Sequence, residues 1–331
     1  MSMAAEHIDN RPGLSALLEG FADASDIPVD TLHLDGIALD SRKLDAGYLF
    51  LACAGDNNHG LDFCQQAVTA GAIAIAFDSA TAKTLPRDIE VPLIPVDSLA
   101  DKAGLIADRF FRHPSELLQV VAVTGTNGKS TVAWLLAQCL ENLGTRCAYA
   151  GTLGYGVGYI ENDDDMTSPD VVESHRRLAG FVDQGAEAAA IEVSSHALAQ
   201  QRVDAVRFEA TLFTNLSRDH LDYHGDMRAY GETKARLFLE HPAARRIINL
   251  DSEFGAALAS RCREDVITVS TNFDRVANGR PYVFVRSVVA NETGSEVAIE
   301  SSWGRARVDI PLVGDFNVAN VVAVLALLLS W

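Results

Sequence analysis

The residues best equipped for chemistry stand together in Val121-Ala122-Val123-Thr124-Gly125-Thr126-Asn127-Gly128-Lys129-Ser130-Thr131. An apolar run that reads as a buried strand enters a glycine-containing turn and leaves it as a helix. That order aims successive backbone N–H groups and the positive end of the helix at one point, which is how a phosphate is held. Lys129 is placed to reach β- and γ-phosphates, and the Ser130 hydroxyl to hold Mg²⁺. The full G-x-x-x-x-G-K-[ST] pattern is not met, because Val123 stands where its first glycine belongs. A plain strand-to-helix turn would have no need of Gly, Lys and Ser in succession.

Other candidates lie further along. Glu192 ends a predicted strand over Ala188 to Val193, and open α/β sheets bind ligands at such strand ends. A carboxylate there suits Mg²⁺; the alternative is an acid that caps the next helix. Ser194-Ser195-His196 has the residue types of nucleophilic chemistry but no G-x-S-x-G elbow, so its hydroxyls are expected to bind a substrate instead. His220 and His224 can share a helix face as zinc ligands do, yet no H-E-x-x-H is present, and a solvated pair is the plainer reading. Lys234, in Tyr230-Gly231-Glu232-Thr233-Lys234-Ala235-Arg236-Leu237, reads by type alone as a helix-surface lysine. Asn317 and Asn320, spaced N-x-x-N, read by themselves as helix-start asparagines.

Gly125-Thr126-Asn127-Gly128-Lys129-Ser130-Thr131 resembles the ATP loop of the Mur ligases and the related folylpolyglutamate synthases. Ile191-Glu192-Val193-Ser194-Ser195-His196-Ala197-Leu198 and the run from Phe213 to Gly225 resemble segments of the Mur ligases that add the third residue of the peptidoglycan stem peptide. Leu39-Asp40-Ser41-Arg42 followed by Gly47-Tyr48-Leu49-Phe50 is similar to their uridine-binding domain. The matches run in order from residue 39 to about 320.

The resemblance implies an ATP-dependent amide-bond ligase that works through an acyl phosphate. Its ligands would be UDP-N-acetylmuramoyl-L-alanyl-D-glutamate, ATP, Mg²⁺ and an amino acid, with meso-diaminopimelate favoured over L-lysine. It places Lys129, Glu192, His220 and Lys234 in catalysis. Ser130, Glu192, His220 and a carbamylated Lys234 become metal ligands, and Gly125 to Thr131 with Asn317 and Asn320 hold the nucleotide. Leu39, Ser41, Asp56, Asn57, Asn58, Thr167, Ser168, Ser194, Gln200 and Arg202 would contact the substrate. Thr167 follows Met166, where the family more often carries Asn or Thr. The family's amino-acid pocket lies in a C-terminal Rossmann-like domain that would begin where this sequence stops, so the chain alone is expected to be inactive. A non-catalytic nucleotide- or UDP-sugar-binding module and a folylpolyglutamate synthase-like ligase are the alternatives.

The elements that must position these residues read as α/β. Tyr48–Ala52 and Ala72–Phe77 predict strands, Phe63–Ala70 a helix between them, and Val91–Val96 an edge strand because of Pro92 and Pro95. A domain boundary is expected near Asp97, giving an N-terminal UDP-sugar-binding domain over 1–97 and a central ATP-binding domain over 98–331. Leu99 to Phe111 shows helical spacing. Strands at 119–123, 188–193, 210–214, 246–250 and 266–270, with helices between several of them, predict a mostly parallel sheet. Residues 282–312 alternate apolar and polar with turns at Asn291–Gly294 and Trp303-Gly304, which predicts a small antiparallel sheet. Phe316 to Trp331 reads as a helix apolar nearly all round, hence buried.

Composition agrees with a soluble enzyme. The 331 residues are 48 % hydrophobic and 22 % charged, and 27 Lys and Arg against 45 Asp and Glu leave a formal charge of −18. Such a surface repels nucleic acid and anionic lipid, so phosphates must be met by a few placed cations and backbone amides. Five scattered cysteines without a C-x-x-C pair argue against a cysteine-built zinc site and against a disulfide framework. No secretory signal or membrane span is legible. A cytoplasmic monomer is the expectation.

Overall fold

A computed structural model of the chain describes residues 12–22, 32–55, 58–82, 84–161, 167–275 and 279–331. It divides into two compact units. The first is Met1–Pro114 with Asp170–Asp183 and Gln201–Val206; the second is Ser115–Pro169, Gln184–Gln200 and Arg207–Trp331.

In the first unit, strands β1 (Gly36–Ala38), β2 (Tyr48–Ala52), β3 (Ala72–Asp78) and β4 (Leu93–Val96) form a parallel sheet in chain order. The inner strands are apolar on both faces because both faces are covered. Leu49, Leu51, Ala74 and Ala76 pack with Leu14 and Leu17, with Leu99, Ile106 and Phe110, and with Val171 and Val172. Phe50, Ile75 and Phe77 pack on the other side with Cys64 and Ala67. The proline-bearing β4 is an edge strand, as expected. The sequence boundary near Asp97 differs from the packing. Helix Leu99–Phe110 turns Leu99, Ala103, Ile106, Ala107 and Phe110 into the first core, so that unit runs on to Pro114.

The second unit carries β5 (Gln119–Thr124), β6 (Cys147–Gly151), β7 (Gly154–Val157), β8 (Ala188–Glu192), β9 (Phe208–Phe213), β10 (Ala243–Asn249), β11 (Val266–Ser270), β12 (Tyr282–Asn291), β13 (Gly294–Ser301) and β14 (Gly304–Ile310). They form one sheet in the order β14-β13-β12-β11-β10-β9-β5-β8-β6-β7. From β12 to β6 every pairing is parallel, and antiparallel strands finish both edges. The predicted small antiparallel sheet is therefore not separate. Tyr282–Phe284 pairs with Thr268–Ser270 and so extends the main sheet.

Helix Asp315–Ser330 buries Val318, Val322, Val324 and Leu327 in the core that holds Val121, Val123, Leu136 and Val269. The all-round apolar helix thus packs on the central sheet. Strands β6 and β7 and helix Val171–Asp183 were not legible. Cys147–Gly151 is short and rich in small residues, and Gly154–Val157 is half glycine.

Candidate active site

β5 ends at Thr124 and helix Lys129–Asn142 begins five residues later. The turn between them requires glycine at both ends. Gly128 lies at φ +86°, and a Cβ there would fall 2.5 Å from Asn320 Oδ1; at Gly125, φ +150°, it would fall 2.0 Å from Thr214 Oγ1. Lys129, Ser130 and Thr131 precede the first i→i−4 amide bond of the helix, made by Val132 N–H to Gly128 O at 2.9 Å. Their N–H groups face the helix N-terminus, where an anion is favoured.

The segment after β9 fastens this turn. Thr126 N–H donates to Asn215 O at 2.9 Å and Asn127 N–H to Asn215 Oδ1 at 3.0 Å. Thr214 Oγ1 donates to Asn127 O at 2.6 Å, and Ser217 N–H to Thr126 Oγ1 at 2.9 Å. Thr214, Asn215 and Ser217 escaped the sequence reading, although they lie inside the Phe213–Gly225 block that carried the resemblance. Short polar side chains within bonding reach of loop amides were the signal to look for.

Glu192, 3 % exposed, ends β8 beside the turn. Its carboxylate accepts from Tyr149 Oη at 2.5 Å, Thr152 N–H at 2.8 Å, Thr152 Oγ1 at 3.2 Å and Ser130 Oγ at 3.0 Å. Burial, and then the Glu192 carboxylate, push the Tyr149 phenol far above its usual range, so it stays a donor. The group is a buried carboxylate held by three donors against a fourth, the Ser130 hydroxyl of the phosphate turn. Ser130 Oγ and Glu192 present the hard oxygen atoms that Mg²⁺ takes as ligands. Among the described residues no group of three or more His, Cys, Asp or Glu forms a ready metal nest. A metal here would therefore complete its shell with ligand oxygens, as Mg²⁺ commonly does.

Lys129 turns back on the loop and donates to Gly125 O at 3.1 Å and Thr126 O at 2.9 Å. Burial lowers its pKa, against the pull of Glu192 and Asp219. Lys234 is the largest departure from the sequence reading. It is 1 % exposed, not on a helix surface. Its Nζ donates to the same Gly125 carbonyl at 2.8 Å and stands 4.6 Å from the Tyr230 ring centroid. Burial, followed by the charge on Lys129, lowers its pKa to about 7.

Of the two histidines expected to be solvated, His220 is exposed and His224 is half-buried. His220 caps the short helix Leu221–His224 with left-handed backbone, φ 51°, and its ring lies 5.0 Å from that of His196. His224 shares a hydrogen bond with Ser195 Oγ at 2.9 Å and lies 5.1 Å from the Tyr230 ring. Burial first, and neighbouring His196 next, hold the His224 pKa down.

The other anticipated residues fall as follows. Ser168 Oγ donates to Glu192 O at 3.1 Å, and the Thr167 and Thr152 hydroxyls share a hydrogen bond at 3.2 Å. Ser194 caps helix Ser195–Ala199 by accepting from Ala197 N–H, and Gln200 donates to Tyr223 Oη at 3.3 Å. Asn320, 6 % exposed, lines a cavity of about 690 Å³ beside the turn, with Asn127, Gly128, Thr131 and Phe316. Asn317 is not in that lining; its amide donates to Val313 O at 3.0 Å. A larger cavity, about 910 Å³, lies at the N-terminal ends of β5, β8, β9 and β10, away from the phosphate turn. In the first unit, Ser41 Oγ donates to Gln66 Oε1 at 3.2 Å, and Leu39 is half-buried against the core. Asn58 is exposed, Arg202 lies in the turn 201–206, and Asp56, Asn57 and Met166 fall outside the described residues.

Comparison with known proteins agrees with this geometry. The sequence profile of the Mur ligase middle domain matches residues 123–328, and that of the Mur ligase family catalytic domain matches 33–111. A UDP-N-acetylmuramoyl-L-alanyl-D-glutamate–2,6-diaminopimelate ligase from Alkalilimnicola ehrlichii is 39 % identical over 96 % of this chain and 64 % of its own length. That of Xanthomonas campestris pv. campestris is 40 % identical over 94 % of this chain and 61 % of its own. The chain thus spans less than two thirds of these relatives. A solved diaminopimelate ligase of the same name superposes with TM-score 0.80 at 27 % identity, covering 97 % of this chain and 64 % of that one. MurF from Thermotoga maritima in complex with ADP shares the fold, TM-score 0.58 at 18 % identity, over 89 % of this chain and 62 % of that one. This chain belongs to the Mur ligase family.

Proposed function

We propose that this chain forms part of an ATP-dependent ligase that joins meso-diaminopimelate to UDP-N-acetylmuramoyl-L-alanyl-D-glutamate through an acyl phosphate, in peptidoglycan synthesis. The observation that carries the reading is the buried Glu192 carboxylate 3.0 Å from Ser130 Oγ at the mouth of the phosphate turn. Names of relatives near 40 % identity support the substrate and favour diaminopimelate over lysine. The acidic surface, charge −18, suits a cytoplasmic monomer that does not engage nucleic acid or membrane.

The amides of Lys129 to Thr131 would receive the triphosphate, and Lys129 would swing from the Gly125 and Thr126 carbonyls to the phosphate oxygens. Mg²⁺ held by Ser130 and Glu192 would offset the charge on the transferring phosphoryl group. Asn320 and the 690 Å³ cavity are offered for the rest of the nucleotide. Ser168, Thr167, Ser194, Gln200 and Arg202 would bind the peptide arm, and Leu39, Ser41 and the loop around Asn58 the uridine end. His220 is assigned to a second metal on the family resemblance.

Lys234 has a defined chemical opening. A pKa near 7 leaves much of its amine neutral at physiological pH, and a neutral amine adds CO₂ to give a carbamate and a released proton. The product replaces a buried cation with an anionic oxygen ligand beside Lys129.

The test is phosphate release from ATP by the complete product of the gene. Release should require both the UDP-dipeptide and diaminopimelate and should fall steeply when lysine replaces the latter. Release that ignores the UDP-dipeptide, or that prefers lysine, would overturn the reading.

A further inference from the structure

The first unit contains two buried polar atoms that face each other without a hydrogen bond. His175, wholly buried on helix Val171–Asp183, lies 3.0 Å by Nε2 from the Asp204 carbonyl oxygen. A carbonyl only accepts, so Nε2 carries the hydrogen and a neutral ring has a bare Nδ1. That Nδ1 lies 3.6 Å from Asp108 Oδ1. Both are buried acceptors without a hydrogen-bond partner, which is costly. The other Asp108 oxygen lies 2.5 Å from Nδ1 of His113, whose side chain is 51 % exposed. A surface imidazole thus connects through one carboxylate to a buried one.

What the buried ring holds is a strained turn. Gln201 and Ala205 lie at φ 55° and 65°, left-handed backbone unfavourable for both. Gln201 donates to Asp101 Oδ1 at 3.0 Å, and Gly104 approaches so closely that a Cβ would fall 2.8 Å from Asp204 O. Arg202 sits within this turn. We propose that Asp108 and His175 are positioning residues that seat the turn 201–206, and with it Arg202, and that one proton entering the gap between them tightens the seat. The link to Arg202 rests on its proposed contact with the UDP-dipeptide.

Asp108 and His113 act on the His175 ring directly, and burial outweighs Asp108 and the Asp204 carbonyl to hold its pKa below 6.5. On its own helix Glu173 bonds Arg176 and Arg177. On the helix opposite, Asp101 bonds Gln201 and Arg109 bonds the Leu17 and Glu19 carbonyls. Arg112 precedes His113, and the turn itself adds Arg202 and the Asp204 carboxylate. Because the folded ring resists a proton that the unfolded ring accepts, this group removes stability as pH falls through 6.5 toward its lowered value.

Asp108→Asn is the discriminating variant. Its amide oxygen still accepts from His113, while its N–H points at the bare Nδ1 of His175. The variant should melt about 2–4 °C above the parent at pH 8. That gain should shrink as the pH is lowered below 6.5 and His175 takes up its proton, because the protonated ring prefers the carboxylate. The same trend should persist in a His113→Gln background, and ¹⁵N NMR at pH 8 should show the His175 hydrogen on Nε2. A variant that melts below the parent at pH 8, a pH-independent difference, or a hydrogen on Nδ1 would overturn the proposal. Affinity for the UDP-dipeptide should fall about tenfold in His175→Phe, about 1.4 kcal/mol. Unchanged affinity with that trend intact would overturn the role of Arg202 and leave the seat standing.

Discussion

Lys129 and Lys234 both donate to the Gly125 carbonyl, at 3.1 and 2.8 Å. Two ammonium groups that share one acceptor in a buried place repel, and the deeper of them yields its proton more readily. Between about pH 7 and 10.5 the unfolded Lys234 binds a proton that the folded one has lost, so folding stability rises with pH across that window. Lys234→Met in CO₂-free buffer should therefore melt higher than the parent at pH 7, by an amount on the order of a few kcal/mol. The advantage should shrink toward pH 10; thermal melts at the two pH values check it. Lys129→Ala should weaken ATP–Mg²⁺ binding about 10- to 100-fold, the usual worth of a charge-assisted hydrogen bond, measurable by calorimetry on the 331-residue chain. Lys129 and Ser130 were legible because adjacent glycines fix where they point. Lys234 was not, since the Tyr230–Leu237 pattern shows a helix but not which side of it another segment covers. Tyr149 and Asn215 were missed for the same reason: their partners, Glu192 and Asn127, are distant in sequence.

The elements were easier to read than their pairings. β5, β8, β9, β11 and the Ile247-Ile248 end of β10 are apolar runs that a sheet covered on both faces requires, and each stood out in the sequence. The continuity of β11 with β12 did not, because alternating residues in 282–312 say which face is wet and not which neighbour is bonded. The phosphate turn is where element and chemistry meet. Gly128 joins strand to helix at φ +86° with Asn320 pressed against it. Gly128→Ala should cost about 1–2 kcal/mol from backbone alone, and more from the displacement of Asn320. Chemical denaturation together with nucleotide titration checks this, and a variant with unaltered stability and affinity would mean that the turn tolerates a Cβ.

At the scale of the molecule, the phosphate turn, Glu192, Lys234 and Asn320 all belong to the second unit, while Ser41, Leu39 and Arg202 belong to the first. ATP–Mg²⁺ should therefore protect amides at 125–131, 192–195 and 214–220 from hydrogen exchange and raise the melting of the second unit by mass action. Protection confined to the first unit would misplace the nucleotide. The sequence boundary near Asp97 fell short of Pro114 because helical spacing in Leu99–Phe110 identifies a buried face without saying which core it enters. On the proposed function, this chain helps to activate the UDP-dipeptide carboxylate as an acyl phosphate before an amine attacks. The most direct test labels that carboxylate with ¹⁸O and supplies ATP, Mg²⁺ and diaminopimelate to the complete gene product. One ¹⁸O should reach inorganic phosphate for each amide formed; amide formation with unlabelled phosphate would contradict acyl-phosphate activation.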